Sequence, residues 1–280
     1  IYAAESSVYR TVGLFEERMS RLSDEEVKDG KEVAKSIAEY AIECSLNKFF
    51  ASEVLDYVVD EAVQLHGGYG FMAEYEIERM YRDSRINRIF EGTNEINRLL
   101  VPGTFLKKAL KGELPLLQKA QELSEGLMML MPEEPGTEPL DQEKHLVKNA
   151  KKIGIMIAGL AAQKYGTELE KEQEILVNIA DIASFVYAME SVVLRTEKAI
   201  KKDGLEKNKQ KLLYTQIFCQ EAFGEIEKHA KETLVATETG DTLRMMTSAL
   251  RKFTRFTPIN VIAVKREAAE KLVDAERYTV

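Results

Sequence analysis

The chain has 280 residues, which is enough for two ordinary domains or one large one. Charged residues make up 31% of it and hydrophobic residues 45%, a composition that excludes disorder as the main state. Acidic residues outnumber basic residues by 47 to 39, so the net charge of -8 repels polyanions and argues against a nucleic-acid partner.

A helical pattern begins at the first residue. The chain opens with Ile1 instead of Met and continues with apolar residues at Val8, Val12 and Phe15, so we expect it to be cut from a longer protein inside a helix. The absence of a signal sequence at this end therefore carries little weight. Over the first part of the chain the spacing predicts helices at roughly 1–20, 31–66, 75–86 and 94–111.

The prolines divide the chain. Five of the six lie between residues 102 and 139. Because a proline inside a helix costs about 3 kcal/mol, we interpret this stretch as a connector and its proline-free flanks as long helices. A boundary near 105–115 then predicts two domains, over residues 1–108 and 109–280.

The second part of the chain also shows helical spacing of apolar residues. Steps of four and three residues run through 146–160 and 175–193, and a looser pattern covers 212–234. Shorter helices are expected at 241–252 and 260–276. Because no stretch alternates as a strand does, the sequence predicts an all-α protein, an up-down helical bundle followed by a second helical bundle.

Membrane spans, disulfides and metal sites are not indicated. The longest apolar run, residues 153–162, is about half of the roughly 20 residues that a membrane-spanning helix needs. The two cysteines, Cys44 and Cys219, are far apart and only three histidines are present, so the spacing predicts neither a disulfide framework nor a zinc site. We expect both thiols to be buried as small hydrophobic groups in a reducing compartment.

The loop after the second predicted helix contains three glycines in four positions, Gly67, Gly68 and Gly70. Such a loop can take positive φ and lets a flat ligand approach the backbone. It has no Gly-Lys-Ser/Thr and no strand precedes it, which excludes a P-loop and a Rossmann fingerprint. A plain helix stop is the more common reason for a pair such as Gly67-Gly68.

A second loop places Glu91 between the apolar pair Ile89-Phe90 and Gly92. A carboxylate held partly out of water is a stronger base, so this setting suits a general base. From the residues alone a structural role is equally open, in which Glu91 stabilises the N-terminal dipole of the helix that begins near Asn94.

Both loops belong to a longer match, which consists of residues 64–71, 81–86 and 89–98. These segments read Gln-Leu-His-Gly-Gly-Tyr-Gly-Phe, Tyr-Arg-Asp-Ser-Arg-Ile and Ile-Phe-Glu-Gly-Thr-Asn-Glu-Ile-Asn-Arg. In order and spacing they resemble the carboxy-terminal helical domain of the acyl-CoA dehydrogenases, over roughly residues 1–108. By length, position and helical pattern, residues 109–280 resemble the extra helical domain of the very-long-chain branch of that family.

The resemblance implies an FAD-dependent oxidation of long-chain acyl-CoA to trans-2-enoyl-CoA in fatty acid β-oxidation. It makes Glu91 the base that removes the α-proton, and it places Gly92 against the substrate thioester. His66 would supply bulk and no chemistry. The resemblance further implies that FAD is contacted by Gln64, Leu65, His66, Gly67, Gly68, Thr93, Asn94 and Glu95.

A dense run of charged residues separates the two loops. We expect it to be a solvated helix face whose salt bridges orient the Glu91 loop, in preference to a site for the phosphates of CoA. Its members are Arg79, Arg82, Asp83, Arg85 and Arg88.

The resemblance also implies partners. They are acyl-CoA as the substrate, an electron-transfer flavoprotein as the electron acceptor, and a second copy in a homodimer. We expect the protein in the bacterial cytoplasm or on the mitochondrial matrix side, and not to be secreted. In the dimer, the following apolar residues are expected to be buried inside the second bundle and not at a subunit interface: Ile175, Ile179, Ile182, Val186 and Met189.

Two segments allow contact with an anionic membrane surface. Residues 127–131 read Leu-Met-Met-Leu-Met, and residues 251–256 read Arg-Lys-Phe-Thr-Arg-Phe. Packing within the helical bundle is the favoured interpretation of both, because neither has a long amphipathic frame.

One alternative function remains open, a non-enzymatic helical interaction module that retains a dehydrogenase-like segment. The intact residues 91–93 and 64–68 favour the enzyme, because an interaction module has no physical need for a carboxylate beside glycine at that loop. The sequence has no counterpart of the family's amino-terminal helical domain, its β-barrel or the first helix of the last domain. We therefore expect the 280-residue chain to be inactive by itself.

Overall fold

The computed structural model describes residues 1–126 and 133–280, and these residues form helices and no strand. The all-α class predicted from the sequence is confirmed. The chain divides into two compact units, one of Ile1 and Ala3–Thr104 and the other of Tyr2 and Phe105–Val280.

In the first unit a long central helix, α3, packs against α4 and against a 3-10 turn at Gly67–Phe71. Its buried side chains include Ile42, Leu46 and Phe49, and Val101 of α5 is fully buried. The helices are α1 (Tyr2–Met19), α2 (Gly30–Ala38), α3 (Ala41–His66), α4 (Glu76–Ser84) and α5 (Asn94–Leu110).

The predicted helix 31–66 is in fact two helices, α2 and α3, which meet at Tyr40. Tyr40 leaves helical geometry, with φ -100° and ψ 22°. Its ring packs edge-on against Phe15, with the centroids 5.2 Å apart. No glycine or proline marks this break, so its cause is a tertiary contact that the spacing does not reveal.

The predicted connector at 102–139 is partly helical. Pro102 lies inside α5, and α6 (Leu116–Gly126) occupies the middle of the stretch. Pro102 removes one hydrogen bond from the helix, but it is buried next to the fully buried Val101. Burial in the core outweighs the helix-breaking tendency of proline here, in agreement with the helix predicted at 94–111. Helix α6 departs from the interpretation of the stretch as a connector.

In the second unit α7, α8 and α9 pack against one another. Helix α6 packs on α7, α10 on α7 and α9, and α11 on α9. The bounds of the additional helices are α7 (Asp141–Tyr165), α8 (Gln173–Asp203), α9 (Lys209–Thr237), α10 (Gly240–Phe253) and α11 (Val261–Ala275).

The apolar seams predicted for this unit face its core. Ile153 and Ile157 of α7 are buried, and a hydrogen bond between the hydroxyls of Thr196 and Thr215, 2.8 Å long, links α8 to α9. Val186 is the half-buried member of the α8 seam. The buried members are Ile175, Ile179, Ile182 and Met189.

Helix α8 is long and apolar enough to cross a membrane by length and composition. However, 56% of its most apolar 18-residue window is buried within the protein, as is usual for the core helix of a bundle. A single helix of this kind is weak evidence for a membrane span.

The cysteines differ in burial. Cys219 is buried as predicted, and burial raises the pKa of its thiol well above the usual value. Cys44 is exposed, so the prediction that both thiols are buried was wrong. The reason is the register of α3, in which Ile42, Ser45 and Leu46 take the buried positions around Cys44.

One of the two proposed membrane segments lies outside the described residues, namely 127–131. In the other, 251–256, Phe253 is only 2% exposed. The ring of Phe256 packs edge-on against Phe223, with the centroids 5.6 Å apart. The aromatic side chains thus contact the helical core, which favours packing over membrane contact for this segment.

Candidate functional site

The three glycines after α3 have different physical requirements. Gly67 ends the helix at φ +59°, a conformation that side chains rarely adopt. A Cβ on Gly70 would lie 2.5 Å from the carbonyl oxygen of Val63, so this residue permits the turn to pack on α3. A Cβ on Gly68 would meet nothing within 4 Å. The fold of this unit therefore requires Gly67 and Gly70, whereas Gly68 borders open space.

Residues 64–68 are all exposed, as a ligand-binding segment requires. Large apolar side chains on either side of the glycines are exposed as well, Leu65 by 87% and Phe71 by 86%. The imidazole Nδ1 of His66 lies 2.8 Å from the carbonyl oxygen of Ala62, one turn back in α3. This contact gives His66 a local structural partner and no catalytic one.

Glu91 and Gly92 both have positive φ, +55° and +78°. A non-glycine residue in this region is uncommon, and such strain is concentrated at functional sites. A Cβ on Gly92 would lie 3.1 Å from Asn97 Nδ2, so glycine here serves the loop itself. Helix α5 begins at Asn94, which places Glu91 before the helix and outside its first turn.

The carboxylate of Glu91 is exposed, and so are the neighbouring side chains of Ile89 and Phe90, by 48% and 49%. The prediction of a partly desolvated carboxylate is therefore not met by the described residues of this unit. The apolar neighbours are present, but they flank Glu91 without covering it. Any desolvation must come from something that lies on this surface.

Two side chains hold the Glu91-Gly92 loop through one carbonyl group. The oxygen of Gly92 accepts hydrogen bonds from Lys48 Nζ at 2.6 Å and from Asn97 Nδ2 at 2.9 Å. Lys48 Nζ also donates to Asn94 Oδ1 at 2.8 Å. Burial lowers the pKa of Lys48, and the carboxylates of Glu95, Glu53 and Glu91 act in the opposite sense.

Asn94 lies beneath the loop and is fully buried. Its Nδ2 donates to Ser52 Oγ at 2.9 Å and to Glu53 Oε1 at 3.1 Å. The side chain is therefore used inside the protein. Its role in this structure is to fix the start of α5 against α3.

A bidentate ion pair strengthens the same contact. Arg98 donates to both carboxylate oxygens of Glu53, at 2.6 and 2.7 Å, and its guanidinium lies 4.4 Å from the centroid of the Phe49 ring. Arg88 pairs with Asp56 at 3.0 Å. Both sides of the Glu91 loop are thus tied to α3 by charged groups.

The remaining charged residues before this loop form local pairs. Arg79 pairs with Glu76 at 3.4 Å and Arg82 with Glu78 at 4.0 Å on the exposed face of α4. Together with the pair made by Arg88, these contacts agree with the predicted salt-bridged helix face.

The first turn of α5 has its own polar contacts. The Thr93 hydroxyl accepts a hydrogen bond from the backbone N–H of Ile96 at 3.3 Å, as a capping residue does. Hydrogen bonds from its own backbone N–H and from Thr93 lower the pKa of the exposed Glu95. Thr93 and Glu95 therefore remain at the surface beside the loop, whereas Asn94 points inward.

The supporting residues on α3 were not predicted from the sequence. Lys48, Ser52 and Asp56 are spaced four residues apart and lie on one face of the helix, with Glu53 beside them. A polar stripe on a helix whose other residues include Leu46 and Phe49 is a signal that could have identified them. No group of three or more residues suited to hold a metal ion occurs in the described part of the chain.

Comparison with known proteins relates both parts of the chain to one family. Two family models, each described as the acyl-CoA dehydrogenase C-terminal domain, match residues 17–103 and 149–252. A probable acyl-CoA dehydrogenase of Bacillus subtilis (strain 168) is 72% identical over 280 residues, which cover 100% of this chain and 47% of the relative. The mitochondrial very long-chain specific acyl-CoA dehydrogenase of Homo sapiens is 32% identical over 219 residues, 68% of this chain and 32% of the relative.

A solved structure agrees with these sequence relatives. The crystal structure of an acyl-CoA dehydrogenase complexed with FAD from Bacillus anthracis matches with a TM-score of 0.97 and 78% identity. The match covers 100% of this chain and 47% of that one, so the chain spans about half the length of these Bacillus relatives. The chain therefore belongs to the FAD-dependent acyl-CoA dehydrogenase family.

Proposed function

We propose that this chain is the carboxy-terminal part of an enzyme that oxidises long-chain acyl-CoA to trans-2-enoyl-CoA, with Glu91 as the base. The observation that carries the proposal is the conformation of the Glu91-Gly92 loop. Glu91, whose carboxylate is exposed, and Gly92 both have positive φ. Lys48 and Asn97 hold the loop by donating hydrogen bonds to the carbonyl oxygen of Gly92. A base must be fixed in this way if it is to meet a carbon-bound proton.

The chemistry assigned to this chain is a proton transfer. The Glu91 carboxylate accepts the proton from the α-carbon of the thioester, and the electron pair of that bond becomes the α,β double bond. FAD, when bound, accepts the β-hydrogen as a hydride and so completes the oxidation. Placement of the thioester against Gly92 rests on the resemblance, whereas in this structure the glycine permits the positive φ of the loop.

The exposed residues 64–68 fit one part of a flavin site. Gly68 is not required by the fold, and it leaves open space where a flat ring could approach the backbone. Gln64 supplies an amide and Leu65 an apolar contact, and both side chains are exposed. Thr93 and Glu95 would contribute from the other loop. These features support FAD contact by Gln64, Leu65, Gly67, Gly68, Thr93 and Glu95.

Partners and substrate length are part of the same proposal. The similarity to the very long-chain specific relative supports a long acyl chain. An electron-transfer flavoprotein would reoxidise the flavin, and two copies would assemble as a homodimer. The proposed location is the bacterial cytoplasm or the mitochondrial matrix side.

The test is Glu91→Gln in the full-length enzyme, with flavin reduction followed after rapid mixing with palmitoyl-CoA. The amide is nearly isosteric but accepts no proton, so the rate should fall by at least the ~10²–10⁴-fold typical of a lost general base. FAD and acyl-CoA binding should persist. Glu74→Gln is the matched control, because Glu74 is also exposed and loses the same charge. Flavin reduction by Glu91→Gln at near the control rate would place the base elsewhere.

A further inference from the structure

Two arginines on either side of the Glu91 loop are neutralised by carboxylates of α3. Arg98 donates to both carboxylate oxygens of Glu53, at 2.6 and 2.7 Å. Arg88 pairs with Asp56 at 3.0 Å. Each arginine is therefore matched by one carboxylate, and the two pairs together bring no net charge to the surroundings of the loop.

Lys48, a third cation near the loop, is bound differently. Its Nζ donates to the carbonyl oxygen of Gly92 at 2.6 Å and to Asn94 Oδ1 at 2.8 Å, and both of these acceptors are neutral. Lys48 makes no ion pair with any residue that the structure describes. These hydrogen bonds fix the ammonium beneath the loop without cancelling its charge. Lys48 therefore brings one unneutralised positive charge to this site.

Two carboxylates at the loop interact with that charge. Glu91 and Glu95 are both exposed. Burial is the larger influence on Lys48 and lowers its pKa, whereas the carboxylates of Glu95, Glu53 and Glu91 raise it. Because such an interaction is reciprocal, the ammonium of Lys48 favours the ionised form of Glu91 and of Glu95. Without Lys48 two like charges would share this surface, and such a pair takes up a proton more readily than a single carboxylate.

Covering of the loop makes this charge important. In the structure Glu91 is exposed to water, which screens its interaction with Lys48. A substrate that lies on the loop excludes this water, so the carboxylate loses hydration and its protonation becomes easier. A protonated Glu91 cannot accept a further proton. The same loss of water strengthens the attraction between the ammonium and the carboxylate, because the effective dielectric constant falls.

We propose that Lys48 is a positioning residue whose charge keeps Glu91 ionised when substrate covers the loop. The proposal rests on the assignment of Glu91 as the base. Lys48 acts through Glu91 and through the Gly92 carbonyl, and it requires no contact with the reacting atoms. A neutral donor at position 48 would still hold the loop, but the covered carboxylate would take up a proton.

The experiment counts the protons that the full-length, FAD-loaded enzyme takes up when it binds trans-2-hexadecenoyl-CoA, the product expected from palmitoyl-CoA. Titration calorimetry at neutral pH in buffers of different ionisation enthalpy gives this number. Lys48→Gln keeps a donor but loses the charge, so it should take up more protons than the unaltered enzyme, by up to about one per chain. Lys48→Arg keeps the charge and should take up no more. Lys31→Gln is the matched control, because Lys31 is exposed on α2 and has no ion-pair partner among the described residues.

The pH dependence of flavin reduction by palmitoyl-CoA separates the charge of Lys48 from its hydrogen bonds. In Lys48→Gln the acidic limb of the rate should move to higher pH by about one unit, and the rate above that limb should approach that of Lys31→Gln. Lys48→Met loses the donor as well, so it should show the same shift and also a lower rate at every pH. A role confined to holding the loop would lower the rate without moving the limb.

The added proton should be absent from the double variant Lys48→Gln/Glu91→Gln. Equal uptake by Lys48→Gln and Lys31→Gln, or an added proton that persists in the double variant, would overturn the proposal. Proton uptake is measured on binding and needs no oxidation. It therefore differs from the test of the base itself, in which Glu91→Gln alone reduces the flavin at near the control rate if the proposed function is wrong.

Discussion

Two regions of this chain contrast in the exposure of their large apolar side chains, the α7–α8 seam of the second unit and the glycine loop of the first. In the second unit Ile157, Ile182 and Met189 are at most 1% exposed, and they hold α7 and α8 in one core. In the first unit Leu65 and Phe71 are more than four-fifths exposed beside the glycine loop. Because soluble proteins rarely leave such residues together in water, the contrast shows where stability resides and where a ligand or another surface is expected.

The buried polar side chains of the two units also have different roles. In the second unit the buried hydroxyls of Thr196 and Thr215 form a local link between two core helices. In the first unit the buried Asn94 lies under a strained, exposed loop and connects it through Lys48 to α3. In the first unit the buried Asn94 therefore fixes a surface loop through hydrogen bonds to charged neighbours, Lys48 and Glu53.

Truncation of the second core should have the largest effect on stability. Ile182→Ala should lower the free energy of unfolding by about 2–5 kcal/mol, because the substitution leaves a cavity in a closely packed bundle. Leu65→Ala, on the exposed side of the comparison, should change it by less than about 0.5 kcal/mol. Urea unfolding followed by circular dichroism measures both. Equal losses in the two variants would remove the distinction between the units.

A smaller loss is expected from the polar support of the Glu91 loop. Asn94→Ala should cost about 1–3 kcal/mol, because Lys48 and Ser52 lose a buried partner. Hydrogen exchange should also become faster at residues 91–93. Asn87→Ala is the control, since this half-buried amide bonds only to the nearby carbonyls of Asp83 and Ser84. Unchanged exchange in Asn94→Ala would show that the loop keeps its conformation without the network.

One carboxyl in each unit should respond to pH with the opposite sign, Glu143 in the second and Glu95 in the first. In the second unit burial raises the pKa of Glu143, which is 4% exposed. Its contribution to stability is fully present below the unfolded pKa of about 4.3 and is lost as pH rises through the folded pKa. In the first unit the lowered pKa of Glu95 gives stability that is present above about 4.3 and is lost as pH falls through the folded pKa.

The corresponding variants separate these two contributions. Between pH 4 and pH 8, Glu143→Gln should gain stability relative to the unaltered chain, because the cost of ionising a buried carboxyl is removed. Glu95→Gln should lose relative stability over the same interval. Urea midpoints at the two pH values give the signs. The same sign for both variants would contradict the assigned environments.

Periodicity predicted much of the fold because helices that bury one face repeat their apolar residues. This is why the seam of α8 was found, with Ile182 and Met189 at its centre. The break at Tyr40, whose ring packs against Phe15, escaped prediction, and so did α6 within the predicted connector, whereas the helix that contains Pro102 was predicted. Such contacts join residues far apart in sequence or override local propensity.

The candidate loop, but not its support, was identified from the sequence. The motif containing Glu91 and Gly92 identified the loop, because a carboxylate beside glycine is unusual and its neighbours match a family pattern. The support from Lys48 and Glu53 was missed, since nothing local connects α3 to a loop more than 40 positions away. The exposure of the Glu91 carboxylate was also missed. It depends on what covers the loop, and the spacing of residues in the sequence gives no information about that.

The central claim is that the first unit presents a minor, exposed share of a flavin site that needs a further surface. The direct measurement is FAD fluorescence quenching on titration with the 280-residue chain, after circular dichroism has shown that it is helical. We predict a colourless protein with no submicromolar FAD binding and no reduction of an electron acceptor by palmitoyl-CoA. Submicromolar binding of FAD to this chain alone would contradict the account.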